Sequence, residues 1–259
     1  MRMMKKVLGT VTVLALSVSL LAGCGSTAAS PVSSAASTAA ESTTSSIASE
    51  TTSAAADENE AAAAQLLNDL TGSYQELWPV ILADEYKQTW LDDCTALVGE
   101  DNAEAAFEKL SSMVTGDVYG EDAVKAYANG GGAYFCGFTN GLATLTFDGE
   151  TSTISGTDKD GNVLFSHTYH YIGMEPVRGL YEFESDDADS GEFTYFFLAP
   201  DTSAETYHIE FRYGSDAEAL SQYDAGEYAY WLASGISTDC DQTMIDNCIE
   251  LFCTENLAG

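Results

Sequence analysis

Residues 192–214 read EFTYFFLAPDTSAETYHIEFRYG, and this stretch predicts two β-strands, at residues 193–198 and 206–213. A turn at Pro200 and Asp201 joins the two strands. Apolar and polar residues alternate along the second strand, which is typical of a strand with one buried face. The residues expected on the buried face are Tyr207, Ile209, Phe211 and Tyr213, and those expected on the other face are Thr206, His208, Glu210 and Arg212.

The polar face of the second strand places a histidine next to a carboxylate. His208 and Glu210 are two residues apart, so their side chains point to the same side of the sheet. An imidazole and a carboxylate placed side by side can both coordinate a metal ion. The same pair is equally compatible with a solvated sheet surface that binds nothing, and the spacing alone leaves both interpretations open.

The rest of the chain predicts helices first, then strands, and then a last helix. The first helices are expected at residues 61–70, 85–98 and 103–114, with glycines after the second and third as stops. Further strands are expected at residues 133–139, 142–147, 151–155, 163–172 and 180–184. After the quoted stretch, the pattern predicts a short helix at 215–223, a strand at 228–232 and a helix at 239–252. Short antiparallel strands at this spacing predict a barrel or a sandwich.

The start of the chain resembles a bacterial lipoprotein signal. A basic segment, residues 1–6, precedes an apolar run at 7–20 that is too short to be a membrane span. The run ends in Leu-Ala-Gly-Cys, so we expect residues 1–23 to be removed and the sulfur of Cys24 to be lipidated. An ordinary secretory signal with an incidental cysteine is the alternative. Either way the protein is expected outside the cytoplasm, and with lipid it is anchored to the cell membrane.

Residues 24–60 predict a disordered tether. Beyond Cys24 they are almost all Ser, Thr, Ala and Glu, with no aromatic residue, and such a segment cannot bury enough apolar surface to offset the entropy of ordering. Residues 61–259 contain nearly all of the aromatic residues and have the length of one domain.

The charge of the chain excludes some classes of partner. The sequence has 41 acidic and nine basic residues, a formal net charge of −32, and removal of the signal takes away three of the basic residues. Affinity for phosphate groups needs Lys and Arg, so nucleic acid is excluded, and contact with the membrane is expected through the lipid anchor only. A negative surface raises the local concentration of cations, but it also keeps a protein soluble, and solubility alone accounts for it equally.

Three segments, in order, resemble the ZinT/YodA family of extracytoplasmic zinc-binding proteins, which also occurs as a domain of zinc-uptake lipoproteins. They are LTGSYQELWP at residues 70–79, VRGLYEFE at 177–184, and Ala-Pro at 199–200 followed by Tyr-His-Ile at 207–209 and Gly-Ser-Asp at 214–216. The resemblance covers roughly residues 66–252. It implies a mainly β fold with flanking helices (α+β), a lipocalin-like (calycin) antiparallel barrel with N-terminal helices and a C-terminal helix.

The resemblance also implies a function and a site. The family binds zinc for uptake or homeostasis through three histidines inside the barrel, which suggests a metal-uptake transporter component as partner. The resemblance therefore implies that His208 points into the mouth of the barrel. Those histidines fall on Phe196, Thr206 and His208 of this sequence, so only His208 is retained. Oxygen from Glu210, Asp201 or Glu205 would suit Zn²⁺ less than another, harder divalent cation. Alternatively the metal site is lost and the Phe196 side chain fills its space, and the barrel binds an organic ligand or a protein partner.

The remaining histidines and the cysteines indicate no further site. His167 and His170 are three residues apart in a predicted strand, so they point to opposite faces and cannot share an ion.

The cysteines other than Cys24 are Cys94, Cys136, Cys240, Cys248 and Cys253, an odd number without a C-x-x-C motif. A bridge from Cys94 to the C-terminal helix and buried free thiols both remain open. Because the sequence also lacks the G-x-S-x-G and H-E-x-x-H motifs, we expect no enzymatic activity.

Overall fold

The structure is a computed structural model that describes residues 58–200 and 208–258, and in it eight antiparallel strands close into a barrel. Each strand pairs with its neighbours in sequence, and the last strand pairs with the first. The strands are β1 (Gly72–Glu76), β2 (Thr144–Asp148), β3 (Thr153–Thr157), β4 (Val163–Met174), β5 (Tyr181–Ser185), β6 (Tyr195–Leu198), β7 (His208–Gly214) and β8 (Ala233–Ser237). Closure leaves none of these eight strands with an unpaired edge.

Helices flank the barrel at both ends of the described chain, so the predicted fold class is confirmed. They are α1 (residues 58–69), α2 (Leu77–Ile81), α3 (Lys87–Val98), α4 (Glu100–Val114), α5 (Glu121–Ala128), α6 (Ala217–Leu220) and α7 (Gln242–Leu257). Asp241 begins α7, because its carboxylate accepts a hydrogen bond from the backbone N–H of Met244. Between α3 and α4 the chain turns at Gly99, whose φ of 85° is a backbone conformation that side chains disfavour.

The barrel interior is an aromatic core to which every strand contributes. Alternate residues point inward, and the buried residues of this core include Tyr74, Leu145, Phe147, Ile154, Phe165, Tyr169, Phe183, Phe196, Ile209, Phe211, Tyr213 and Ala233. Leu66 and Leu67 of α1 belong to the same core, so α1 packs against the barrel. The Tyr213 hydroxyl, which is fully buried, accepts a hydrogen bond from the backbone N–H of Thr139 and donates to its carbonyl, 2.9 Å away.

A second core lies between the outer surface of the barrel and the helices. It joins α2, α3, α4 and α7 to Ile236, a residue of β8 that points away from the barrel interior. Trp90 of α3 is fully buried there, and its indole N–H donates to the carbonyl of Ile81 at 2.7 Å. The helices thus cover the outer face of the sheet at β8 and its neighbours.

Two predicted strands are wrong, and four elements were not predicted. Residues 133–139 and 228–232 are not strands; Phe135 makes only isolated bridges, to Thr115 and Trp231. The chain cannot stay extended at 228–232, because Tyr230 has a φ of 56°. The missed elements are β1, α2, α5 and β8. In β1 only the middle residue of GSYQE is buried, which weakens the alternating signal.

The predictions for the N-terminal region concern residues outside the described chain. The predicted signal at residues 1–23, the predicted lipidation site Cys24 and most of the predicted tether lie there. Of the helices in residues 58–200 and 208–258, none has the length and apolar character needed to cross a membrane.

Candidate functional site

The two faces of β7 have different surroundings. Ile209, Phe211 and Tyr213 belong to the barrel interior, as the alternation of the sequence predicts. His208 pairs directly with Ile236 of β8, and paired residues point to the same side of a sheet. Because Ile236 is part of the outer core, His208 and Glu210 lie on the outer face of the barrel, where both are half-buried. The expectation that His208 points into the barrel mouth is therefore wrong, since the β7–β8 register turns its side chain outward.

Glu210 lies close enough to two buried cysteines to affect their pKa values. Burial raises the pKa of Cys136 to about 12, and the negative charge of Glu210 contributes to that rise. Burial likewise raises the pKa of Cys248 to about 12, with a smaller contribution from Glu210. Cys248 belongs to α7, so the Glu210 carboxylate lies on the side of the sheet that α7 covers.

The third polar residue of this face has a structural role. Arg212 is fully buried, and its guanidinium donates hydrogen bonds to the carbonyls of Leu220, Gln222 and Tyr228. It also lies over the ring of Tyr223, 4.3 Å from the ring centroid. Desolvation lowers the pKa of Arg212, although its ordinary value is high enough to keep it charged. Of the polar residues that the structure describes on this face of β7, His208 and Glu210 therefore remain as candidate metal donors.

Phe196 lies on the opposite side of the sheet from His208. It pairs with Tyr213 of the neighbouring strand, so its side chain points into the barrel, where it is fully buried. Its ring centroid is 5.3 Å from that of Tyr213 and 5.4 Å from that of Tyr169. The strand register therefore separates two positions that the family resemblance brings to one ion.

The described residues do not by themselves fit a family-type zinc site. Within residues 58–200 and 208–258, no three or more His, Cys, Asp or Glu side chains are grouped to hold a metal ion. Zinc takes three or four N, S or O ligands, and His208 with Glu210 supplies two. The other predicted donors, Asp201 and Glu205, lie outside the described residues.

His167 and His170 point to opposite faces of β4, as predicted. His167 has its Nδ1 2.8 Å from a carboxylate oxygen of Asp187, and its ring stacks on that of Phe165 at the interior side. His170 is exposed and has its Nδ1 2.7 Å from a carboxylate oxygen of Asp186. Each imidazole thus has its own carboxylate partner.

A cleft outside the barrel was not predicted from the sequence. It has a volume of about 340 Å³ and lies between α2, the end of α4 and residues 135–137. Its lining is mostly apolar: Glu76, Trp78, Pro79, Leu82, Val114, Thr115, Phe135, Cys136 and Gly137. The Trp78 indole N–H has no hydrogen-bond acceptor of ordinary geometry among the described residues, although the Cys136 sulfur, a weak acceptor, is beside it. The lining residues are far apart in sequence, so no local pattern could reveal the cleft.

Comparisons with known proteins give matches among solved structures. No family model matches the chain, and a search of curated proteins gives no match. The Zn(II)-bound ZinT-like domain of Streptococcus pneumoniae AdcA is 16% identical over 71% of this chain and 89% of that domain, with a TM-score of 0.45. Zn(II)-bound AdcA from Streptococcus pneumoniae is 14% identical over 72% of this chain and 35% of that protein, with a TM-score of 0.43.

Proposed function

We propose that the chain is a lipid-anchored, extracytoplasmic, ZinT-like protein that captures a divalent cation or delivers it to a metal-uptake transporter. The main support is that His208 and Glu210 share the outer face of β7, where both are half-buried. A formal net charge of −32 further favours cations near the surface. In this proposal Cys24 provides the anchor, residues 25–60 provide the tether, and the protein is a carrier rather than an enzyme.

The donor set indicates weak binding rather than tight structural binding. One imidazole and one carboxylate leave the remaining coordination positions to water or to other oxygen donors. Zinc is the ion of the similar domain, whereas manganese and calcium suit a site with more oxygen ligands. We therefore expect a dissociation constant in roughly the micromolar range or weaker for the best of the three ions.

Isothermal titration of the metal-stripped protein with zinc, manganese and calcium tests this proposal. His208→Ala and Glu210→Gln should each weaken binding at least about tenfold, because each removes one of two protein donors. His170→Ala is the matched control, since it removes an exposed imidazole that also lies beside a carboxylate. Equal affinity in all three variants and the unchanged protein would mean that cations associate only with diffuse surface charge, and the proposed site would be wrong.

A second candidate function is binding of a small, uncharged organic ligand in the cleft beside α2. The observation that favours it is an apolar volume of about 340 Å³, which is within the range of ligand sites. The carboxylate of Glu76 at the cleft disfavours anions. A thermal-shift screen with neutral aromatic compounds tests this candidate. Val114→Trp should fill the cleft and abolish the shift without changing cation binding; a shift that persists in this variant would contradict it.

A further inference from the structure

Two buried cysteines on different helices are in contact. Cys94 lies in α3 and Cys253 lies in α7, and their sulfur atoms are 3.9 Å apart. Both residues are fully buried. All five described cysteines are free thiols in the structure, so this contact is between two reduced side chains.

The contact has a geometry from which a disulfide can form. A disulfide bond is about 2.05 Å long, so the two sulfur atoms would have to approach by roughly 2 Å. Each sulfur moves on a single side-chain torsion, and α3 and α7 already pack against each other in the outer core. The closure therefore needs rotation of two side chains and a small adjustment of two packed helices.

We propose that Cys94 and Cys253 form a disulfide bond in the extracytoplasmic protein. This inference uses the location given under the proposed function but not the cation site. The two thiols lose two protons and two electrons as the S–S bond forms. The acceptor is a disulfide of the dithiol–disulfide exchange class, a protein or a small molecule, whose own S–S bond is reduced to two thiols.

The order of folding and oxidation follows from burial. Only the thiolate reacts in disulfide exchange, and burial raises the pKa of both Cys94 and Cys253, so the folded thiols remain protonated and shielded. The bond should therefore form while α7 is still undocked. In the folded protein it should then resist reduction, because the same burial excludes an attacking thiol.

The bond would fasten the last helix to the rest of the domain. The two cysteines are 159 residues apart, so the bond closes a long loop and removes much of the freedom of the unfolded chain. It also holds α7 over the outer face of the sheet, close to Glu210. A loop of this length predicts a rise in melting temperature of roughly 5–15 °C.

The test begins with the denatured, reduced protein. One sample is refolded with a mixture of oxidised and reduced glutathione and another with excess reductant, and free thiols are then alkylated and mapped by peptide mass spectrometry. We expect a linked peptide containing Cys94 and Cys253, unlinked and alkylated Cys136, Cys240 and Cys248, and a higher melting temperature after oxidative refolding. Protein that is folded before oxidised glutathione is added should form the link much more slowly.

The variants Cys94→Ala and Cys248→Ala provide matched controls. The first should lose the rise in melting temperature that depends on the oxidant, whereas the second removes another buried thiol of α7 and should retain it. Peptide mapping of the unchanged sequence decides the question even if a variant fails to fold. Alkylated Cys94 and Cys253 after oxidative refolding, or a link from either to another cysteine, would overturn the inference. Cation titration of the reduced protein remains an independent test of the proposed function.

Discussion

Replacing Phe196 by histidine restores the residue type that the family resemblance places at this position, and it tests the strand register directly. Phe196 is fully buried among aromatic rings in the barrel interior. The substitution loses about 1.5–3 kcal/mol of apolar burial and adds about 1–3 kcal/mol for an imidazole without an assured partner. We expect the free energy of unfolding to fall by about 3–5 kcal/mol. For a domain of this size the melting temperature should fall by roughly 10 °C.

The same substitution should not create a zinc site with His208. The two side chains lie on opposite sides of the sheet, so both imidazoles cannot reach one ion without a change in register. Urea unfolding measures the stability, and isothermal titration measures the zinc affinity, which should stay within about twofold of the unchanged protein.

The control for this experiment is Tyr195→His, one residue earlier in β6 and on the outer face. Tyr195 is half-buried and donates a hydrogen bond to Glu184, so its replacement should cost only about 1 kcal/mol. A zinc affinity at least tenfold higher in Phe196→His, and dependent on His208, would refute the assignment of the two faces.

Three further predictions concern the packing and charge of the domain. Gly149→Ala would place a Cβ 2.4 Å from the backbone of α1, so the free energy of unfolding in urea should fall by about 2–3 kcal/mol. The control is Gly161→Ala, whose Cβ meets open space; its free energy of unfolding should fall by only about 1 kcal/mol, because Gly161 has a φ of +80°. Trp90→Phe removes the hydrogen bond to Ile81 and part of a buried ring, so the unfolding free energy should fall by about 2–4 kcal/mol; an unchanged urea midpoint would contradict this. Burial and neighbouring carboxylates raise the pKa of Asp93, so the folded state binds the proton more tightly and loses stability as the pH rises through that raised pKa. Asp93→Asn should therefore melt at a higher temperature than the unchanged protein at pH 7, with the difference shrinking as the pH approaches 3.8, and a lower melting temperature at pH 7 would exclude this effect.

The strands with clear alternation were predictable because their pattern depends on local spacing alone. The face of β7 that enters the core follows from the alternation of Ile209, Phe211 and Tyr213 with polar residues. Segments that contain buried residues but bend, such as 228–232, were mistaken for strands, because burial by itself does not require an extended backbone. The first strand was missed for the converse reason, since its pairing partners are distant in sequence and its own pattern is weak.

For the candidate site too, local spacing is predictable from the sequence, whereas contacts between distant segments are not. The sequence predicts that His208 and Glu210 lie together, because residues two apart in a strand share a side. It does not predict that the helices of the outer core cover this side, or that Phe196 lies across the sheet from them. Those facts depend on the register between β6, β7 and β8, which sets every side chain on one face or the other.

The sequence by itself predicted short antiparallel strands with flanking helices and the pairing of one imidazole with one carboxylate, and it indicated a barrel rather than a sandwich only through the family resemblance. Only the tertiary structure decided that Phe196 lies across the sheet from that pair, where the apolar cleft opens, and that Cys94 and Cys253 meet. The physical reason is distance along the chain. Local spacing fixes the direction of a side chain relative to its neighbours, whereas contacts between residues as far apart as 159 positions exist only after the strands have paired and the helices have docked.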